Sequence, residues 1–440
     1  MIMTIRLLFV LAAAAENWPH WRGPAATGVS TEKGFPTEWA NDKNVAWRAE
    51  LGGLGVSSPV VWGERVFVTY QTGSGGLRQG RHPTFVTEGN PADLGETPLG
   101  GSRLEKKDDR IQFAVAAHSA VDGRRLWQFT LDAEGEMPEV HEKRNLATSS
   151  PVTDGSHVYA WFSNGQFVGL DLNGKLAWKR HLGKEYAAFD LDWGHASSPV
   201  VYKDSLFLLC YHKTSSYLLA LDKKTGKELW KVDRGKDLKS YSTPLVVEVP
   251  GKGPELIVNS TETVEAFEPA SGKPLWKYVE SARFAVPMPV YHDGTLYMSR
   301  GYRSGPYMAL RAGQRGDVTK DKLLWHVETG APYTSSLVYD NGMLYMATEM
   351  GIVSCLDAKT GERIWRERLG GIYSASPVAA DGKIYLFGES GDTLVLRSGT
   401  RKPEIVAKNK LNVRVIASPA FAGGRIFLRG DRQLVAIGNK

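Results

Sequence analysis

The chain has 440 residues, with 54 basic and 48 acidic side chains that leave a net charge of +6. This excess is small and unclustered, so it argues against a nucleic-acid or membrane-surface partner. The 47 glycines and 13 tryptophans fit a protein with many tight turns and a recurring aromatic residue. Length alone would allow three domains, but one repeat runs through almost the whole chain and favours a single all-β unit.

The N-terminal segment predicts export. Residues 1–15 contain Arg6, an apolar run from Leu7 and a series of alanines, which is the pattern of a secretory signal peptide cleaved after Ala14 or Ala15. We therefore expect the mature protein in the periplasm or outside the cell. No later apolar run approaches the roughly 20 residues of a transmembrane helix, so no membrane-spanning segment is expected.

Two features precede the repeats. Residues 16–43 are rich in tryptophan, proline and glycine and show no period, so we interpret them as an extended arm packed on the surface of the main fold. Residues 44–51 then form a predicted strand that carries Trp47. The predicted folded domain covers residues 44–440.

Eight repeats make up this domain. Each opens with small residues and usually a proline, followed by a strand, a turn marked by Asp, Asn or Gly, and a second apolar strand. The openings begin at Ser57, Ser149, Ser197, Ser242, Pro287, Ser335, Ala375 and Ala417. Four short antiparallel strands per unit, repeated eight times, predict an eight-bladed β-propeller.

The third and fourth strands of each repeat are joined by a recognisable hairpin. In the segment from Leu219 to Trp230, Asp222 and Gly226 suit a tight turn, and a tryptophan ends the motif. Because the tryptophan recurs at one position, we expect it to join neighbouring blades rather than to bind a ligand. Buried indoles of this kind contribute up to about 4–6 kcal/mol each. The docking tryptophans are Trp47, Trp127, Trp178, Trp230, Trp276, Trp325 and Trp365, and blade seven has Ile405 instead.

The ends of the repeat array predict how the ring closes. The last repeat stops at Ile437 after three strands, so the N-terminal strand at residues 44–51 is expected to complete blade eight and remove the exposed edges. The first two openings are 92 residues apart, whereas later ones are separated by 40 to 48. We assign the excess to a long polar loop at residues 71–110, between strands two and three of blade one.

These motifs carry a family resemblance. The hairpin at Ala220–Trp230 and the eight repeats resemble the pyrroloquinoline quinone repeat family of quinoprotein-type propellers, across residues 44–440. The opening at Trp18–Pro24 resembles secreted members of the family. One branch comprises calcium-dependent quinone dehydrogenases, and the other comprises non-catalytic propellers such as the scaffold of the bacterial barrel-assembly machinery.

The resemblance implies specific residues for the enzymatic branch, and the chain lacks part of that set. Family dehydrogenases use an adjacent pair of cysteines against the quinone and a calcium ion held by Glu and Asn beside a catalytic Asp. Here the two cysteines, Cys210 and Cys355, stand in different repeats, where we expect buried free thiols. No matching set of oxygen ligands for calcium can be recognised. The chain is thus closer in kind to the non-catalytic branch.

A candidate binding site is predicted where the repeat does not dictate the residues. Loops entering each inner strand emerge on one face around the central channel, and non-repetitive residues there are free to serve function. Arginine and tyrosine dominate this set, as in surfaces that bind carboxylates, phosphates or proteins. The predicted funnel consists of Arg144, Asn145, Asp192, Trp193, His195, Tyr241, Arg283, Tyr333, Tyr373 and Arg414.

The sequence therefore predicts an exported, monomeric propeller that acts as a binding or protein-assembly platform, without a cofactor or a metal site. Its partner would be a protein, or a small anionic or carbohydrate ligand in the funnel. Two alternatives remain open. One is a dehydrogenase of alcohols or sugars that uses pyrroloquinoline quinone with calcium, and the other is a glycan-binding or glycan-processing protein.

Overall fold

Eight sheets are arranged in a ring, each built on four antiparallel strands and two of them extended by a short fifth strand, which confirms the predicted eight-bladed propeller. The computed structural model describes residues 16–73, 110–138, 140–141, 143–302, 304–319 and 323–438. The predicted signal peptide and residues 74–109 of the predicted insertion lie outside this set. Within it, no helix has the length and apolar character to cross a membrane.

Each blade consists of four antiparallel strands, numbered here from the channel outward. Blades one to four contain β3 (Val60–Trp62), β4 (Arg65–Thr72), β5 (Gln112–Ser119) and β6 (Arg125–Asp132); β7 (Val152–Thr153), β8 (His157–Trp161), β9 (Gln166–Asp171) and β10 (Leu176–His181); β11 (Val200–Tyr202), β12 (Ser205–Tyr211), β13 (Ser216–Asp222) and β14 (Glu228–Asp233); and β15 (Leu245–Val249), β16 (Gly253–Asn259), β17 (Thr263–Phe267) and β18 (Pro274–Val279).

Blades five to eight follow the same order. They contain β19 (Val290–His292), β20 (Thr295–Ser299), β21 (Tyr307–Arg311) and β23 (Leu323–Val327); β24 (Val338–Asp340), β25 (Met343–Ala347), β26 (Ile352–Asp357) and β27 (Arg363–Arg368); β28 (Val378–Ala380), β29 (Lys383–Phe387), β30 (Asp392–Arg397) and β31 (Ile405–Lys410); and β32 (Ala420–Ala422), β33 (Arg425–Arg429), β34 (Gln433–Ile437) and β2 (Val45–Glu50). The remaining elements are β1 (Val29–Ser30), β22 (Gly316–Asp317) and a single turn of helix, α1 (Leu182–Glu185).

The N-terminal strand closes the ring, as predicted. Strand β2 pairs antiparallel with β34, with Trp47 opposite Ala436. Across the closure, Trp47 Nε1 donates to the carbonyl of Ala120 in blade one at 3.0 Å. Because the first and last segments of the chain share one blade, the ring has no open edge there.

The repeated tryptophan docks on the following blade. In every blade the register shifts just before this position in the fourth strand, a β-bulge that re-aims the next side chain. Trp178 Nε1 donates to the carbonyl of Lys223 at 3.0 Å, and its ring lies against Gly226 in the hairpin turn of the next blade. The same indole–carbonyl bond is formed by Trp47, Trp127, Trp230, Trp325 and Trp365.

Two blade interfaces depart from this pattern. Trp276 Nε1 donates instead to the buried carboxylate of Glu255 in its own blade at 2.9 Å, and β22 pairs with β18 at Trp276. At the interface of blades seven and eight, the predicted assignment of Ile405 to the tryptophan position was wrong. The register places Ala407 there, opposite Val395, whereas Ile405 pairs with Leu396 before the bulge and is 38% exposed. Blade eight has no hairpin between its third and fourth strands, because the fourth strand comes from the other end of the chain. The turn on which a tryptophan would dock is therefore missing.

The N-terminal arm fills part of this gap. Phe35 packs against Phe421 with ring centroids 4.9 Å apart, and Trp39 stacks on Phe387 at 6.2 Å. The Trp39 backbone N–H also donates to Asn409 Oδ1 at 2.9 Å. Phe35 and Trp39 are both buried, so the arm supplies apolar packing where the repeat supplies none.

Before that point the arm crosses one end of the channel. Trp18 pairs with Val61 in blade one, and the carbonyl of Pro19 accepts from Thr153 in blade two. On the far side, β1 pairs in parallel with β28 of blade seven. This end carries the turns between first and second strands and the tryptophan hairpins, and we call it the turn face. The opposite end, the loop face, carries the loops that enter the inner strands and the point where Gly73 and Arg110 flank the insertion.

Candidate functional site

A ring of hydroxyl groups links the inner ends of the blades. In six interfaces the backbone N–H of the second opening residue donates to the hydroxyl at the equivalent position of the next blade, at 2.9 to 3.1 Å. The accepting residues are Ser150, Ser198, Thr243, Ser336, Ser376 and Ser418. Blade five has Met288 at this position and cannot accept such a bond. The ring explains why the openings favour serine and threonine.

A cavity of about 180 Å³ lies in the channel beside this ring. Trp21 of the arm bounds it from the turn face, and Arg144, Trp193, Tyr241 and Tyr333 bound it from the loop face. Most of the hydroxyl ring forms its wall. None of the described residues that line it is an aspartate or a glutamate.

The arm is anchored below the cavity by one buried arginine. Arg22 Nη1 donates to the carbonyl of Pro377 at 2.8 Å, and Nη2 donates to Thr27 at 2.8 Å and to Leu337 at 2.5 Å. Burial lowers the pKa of Arg22 to about 9. The guanidinium thus ties the arm to blades six and seven after the arm has crossed from blades one and two.

Arg144 is the central charge of the loop-face end. Its guanidinium lies 5.4 Å from the centroid of the Tyr241 ring, which is the geometry of a cation–π contact. Its Nη1 is buried and has no hydrogen-bond partner among the described residues. Burial lowers the pKa of Arg144, while Tyr241 and Tyr333 oppose the shift. A cation whose buried Nη1 has no partner among the described residues costs stability.

A continuous series of aromatic contacts leads outward from Arg144. Tyr241 contacts Phe284, Phe284 contacts Tyr302, and Tyr302 contacts Tyr333, with centroid separations of 6.1, 4.9 and 5.2 Å. The exposed Arg283 lies over the rings of Phe284 and Tyr302 at 5.5 and 5.3 Å. We call Arg283, Phe284, Tyr302, Tyr333 and Tyr241 the aromatic cluster. Three predicted funnel residues, Tyr241, Arg283 and Tyr333, belong to it.

Trp193 and Asp192 lie at the edge of this region. Trp193 lines the cavity and contacts the ring of His141 at 5.5 Å. Asp192 instead forms an ion pair with Lys213 at 2.6 Å and lines a second, more polar depression between blades two and three. The structure therefore separates these two adjacent residues into different environments.

The other predicted funnel residues do not line the cavity. Asn145 Nδ2 donates to the carbonyl of Leu54 at 2.5 Å, which positions the loop ahead of blade two. His195 is buried in contact with Trp161 at 4.0 Å, and its pKa is well below the usual value because of burial.

Tyr373 and Arg414 lie in the loops that enter the inner strands of blades seven and eight. Tyr373 is 2% exposed and packs among the strands of blades six and seven, while Arg414 pairs with Asp431 at 3.2 Å. Neither is part of the aromatic cluster.

Three residues of the site were not predicted from the sequence. Lys143 Nζ forms a buried ion pair with Glu389 of blade seven at 2.7 Å, across the channel from its own loop. His141 and Trp21 also line the cavity. Lys143 and His141 could have been suspected from their position just before Arg144. Trp21 gave no such signal, because the arm has no repeat with which to align it.

The quinone and calcium of the dehydrogenase alternative do not fit these residues. Cys210 and Cys355 are buried in β12 and β26, in blades three and six, and so cannot form the adjacent pair. The cavity wall offers no carboxylate for calcium, and no cluster of three or more potential metal ligands occurs within the described ranges. In addition, Trp21 occupies the turn-face side of the channel.

Comparison with known proteins supports one family. The chain is 26% identical to the outer membrane protein assembly factor BamB of Moranella endobia (strain PCIT) over 330 residues, which is 72% of this chain and 78% of that protein. The crystal structure of BamB from Moraxella catarrhalis matches 74% of this chain and 89% of its own, with 15% identity and a TM-score of 0.54.

A europium-containing methanol dehydrogenase matches 96% of this chain and 89% of its own, with 15% identity and a TM-score of 0.64. At such low identities the two structural matches show a shared fold and nothing more. The family described as outer membrane protein assembly factor BamB matches residues 29–185, 112–280 and 314–440. This chain belongs to that family.

Proposed function

We propose that this protein is an exported, monomeric propeller that serves as a platform for protein binding and assembly. Its binding surface is the loop-face mouth of the channel. The observation that carries the proposal is the aromatic cluster, which joins the partly buried Arg144 to the exposed Arg283 through contacting rings. Membership of a family described as an assembly factor supports the same function.

The composition of the cluster suits a protein interface. Arginine, tyrosine and other aromatic residues are enriched at interface positions that contribute most binding energy, since they combine apolar area with a polar group. Here the rings are already packed against each other, so little side-chain entropy is lost on binding. The turn face is partly covered by the arm, which leaves the loop face for a partner.

Photocrosslinking in the native cell tests this surface. We expect p-benzoylphenylalanine at position 302, in place of Tyr302, to give one discrete protein adduct. Arg283→Glu in the same chain should weaken that adduct, because it reverses the charge beside the rings. The control position is Leu229, which is 50% exposed on the outer strand of blade three. Equal adducts from positions 229 and 302, or none from 302, would contradict the proposal.

The two alternatives have their own tests. For the dehydrogenase, pyrroloquinoline quinone and calcium are added to the purified protein; a stoichiometric bound chromophore with dye-linked oxidation of an alcohol or a sugar would replace the platform function. For the glycan-binding protein, oligosaccharide binding that is lost in a folded Trp193→Ala variant would favour carbohydrate recognition. Trp193 is chosen because it lines the cavity.

A further inference from the structure

The hydroxyl ring presents hydrogen-bond donors to the cavity. Five residues that line the cavity have a hydroxyl oxygen that accepts a backbone N–H from the preceding blade, and no described residue accepts the hydroxyl's own hydrogen. These oxygens belong to Ser150, Ser198, Thr243, Ser376 and Ser418. A hydroxyl that has accepted one bond still has a hydrogen to donate. The cavity wall therefore offers converging donors.

The charge that lines the cavity is positive. The buried Nη1 of Arg144 has no partner, and no carboxylate lies within ion-pairing distance of this guanidinium in the part of the chain that the structure describes. Lys143, the neighbouring cation, is already balanced by Glu389 at 2.7 Å. An anion in the cavity would thus meet one uncompensated guanidinium and several hydroxyl donors, which is a favourable environment for a carboxylate.

Size and shape narrow the class of anion. The cavity measures about 180 Å³. For comparison, an engineered apolar cavity of about 150 Å³ holds one benzene molecule. Aromatic side chains bound both ends: Trp21 on the turn-face side, and Trp193, Tyr241 and Tyr333 on the loop-face side. Flat rings stack well on such surfaces.

We propose that the channel cavity binds a single-ring aromatic carboxylate. The carboxylate accepts hydrogen bonds from Arg144 and from the hydroxyl ring, and the ring of the ligand packs against the tryptophan and tyrosine side chains. This site goes beyond the platform function: it depends on the cavity, whereas the platform depends on the exposed part of the aromatic cluster.

Selectivity follows from the donors. Benzoate, benzamide and benzamidine have nearly the same size and shape but are anionic, neutral and cationic. Benzamide still offers a carbonyl acceptor, yet it cannot neutralise Arg144. Benzamidine brings a second cation next to Arg144 and has no acceptor for the hydroxyl hydrogens. These three probes therefore separate binding by charge from binding by shape.

Calorimetric titration of the full mature protein with the three compounds tests the site. We expect benzoate to bind with one-to-one stoichiometry, benzamide to bind at least about 10-fold more weakly, and benzamidine not to bind. Arg144→Gln should weaken benzoate binding by about 10- to 100-fold, the range for a hydrogen bond to a charged group. Ser150→Ala combined with Ser376→Ala should weaken it several-fold.

Arg283→Gln is the matched control, because Arg283 belongs to the aromatic cluster but does not line the cavity. It should leave benzoate affinity unchanged while it weakens the crosslinked protein adduct, so the two proposals can fail separately. Near-ultraviolet circular dichroism checks that Arg144→Gln is folded. If that variant does not fold, two measurements still test the proposed site. They are the benzoate affinity of the double serine variant and the titration of the unmodified protein with the three compounds.

Equal affinity for benzoate and benzamide would overturn the proposal, as would the absence of benzoate binding. Unchanged benzoate affinity in a folded Arg144→Gln variant would overturn it as well.

Discussion

The ring of Trp178 lies against Gly226 of the next blade: a Cβ atom on Gly226 would approach the indole to 2.7 Å. Gly226 also has φ +69°, a conformation that side-chain-bearing residues rarely adopt. The glycine and the tryptophan of the repeated hairpin therefore act in different interfaces. In five interfaces the turn glycine lies against the tryptophan of the preceding blade, so each of those tryptophans docks on the following blade.

We expect Gly226→Ala to destabilise the protein by more than its backbone strain of about 1 kcal/mol, because the new methyl group collides with Trp178. In a Trp178→Ala background, the same substitution should cost only the strain. A double-mutant cycle measured by urea unfolding should thus give a coupling energy on the order of 1 kcal/mol or more.

Gly342→Ala is the control for this cycle. Gly342 has φ +79°, and no atom lies within 4 Å of the position that an alanine Cβ would take there, so this variant measures the strain alone. If Gly226→Ala and Gly342→Ala cost the same, Trp178 does not dock as the structure shows.

A tryptophan introduced at the docking position of blade seven should not stabilise the protein. Ala407→Trp is expected to raise the free energy of unfolding by no more than about 0.5 kcal/mol, because blade eight has no hairpin turn to receive the indole. Trp230→Ala provides the contrast: it removes the bond from the indole to the Pro269 carbonyl and should lower the melting temperature by several degrees. A clear rise in melting temperature for Ala407→Trp would refute this explanation.

Arg22 should contribute much more to the stability of the protein than exposed residues of the same arm do. Arg22→Leu leaves the carbonyls of Thr27, Leu337 and Pro377 without their donor, and a buried unsatisfied group costs about 1–3 kcal/mol. We expect a loss of several kcal/mol in urea unfolding. Lys33→Leu, in the exposed part of the same arm, should have little effect. Similar unfolding midpoints for the two variants would argue against the anchoring role.

Replacement of Arg144 should increase the stability of the protein, whereas replacement of Arg22 should decrease it. Since its buried Nη1 has no partner, Arg144→Met, which retains side-chain volume without the charge, should raise the stability of the ligand-free protein by about 1 kcal/mol or more. Thermal unfolding measures the change. A marked loss of stability would mean that Arg144 holds the fold together rather than serving a ligand.

Stability should fall as the solution is acidified below pH 6.5. Burial, together with the charge of Arg22, lowers the pKa of His20 to about 3, and burial lowers that of His212 to about 4. Between these values and the ordinary 6.5, the unfolded chain binds more protons than the native protein, so stability decreases as pH falls. Each histidine contributes up to about 1.4 kcal/mol per pH unit in this window.

His20→Asn tests this dependence, because asparagine can still accept from the Arg22 N–H but does not titrate. The free energy of unfolding of the variant should decline less steeply between pH 6.5 and about 4. An identical slope in both proteins would show that His20 is protonated in the native state.

The architecture could be predicted because its signals are local or periodic. The turn at Asp222 and Gly226, the recurring tryptophan and the spacing of the openings each depend on residues close together in the chain. Ring closure followed from counting strands, since the last repeat lacked one and residues 44–51 supplied it. The absence of a tryptophan from blade seven could be seen in the sequence. The residue that takes its place, Ala407 rather than Ile405, and the reason, the missing turn of blade eight, required the closed ring.

The candidate site could not be predicted from local sequence patterns, because its contacts join residues that are far apart in the chain. Lys143 and Glu389 are 246 residues apart and meet only because the closed ring brings the loops of blades two and seven together at the channel. Arg22 reaches a carbonyl 355 residues away, and Trp21 enters a cavity whose walls come from other parts of the chain. Sequence could identify Arg144, Tyr241, Arg283 and Tyr333 as residues that the repeat does not require. Only the tertiary structure determined which of them share one surface, because the distance across a ring depends on the number and curvature of all its blades.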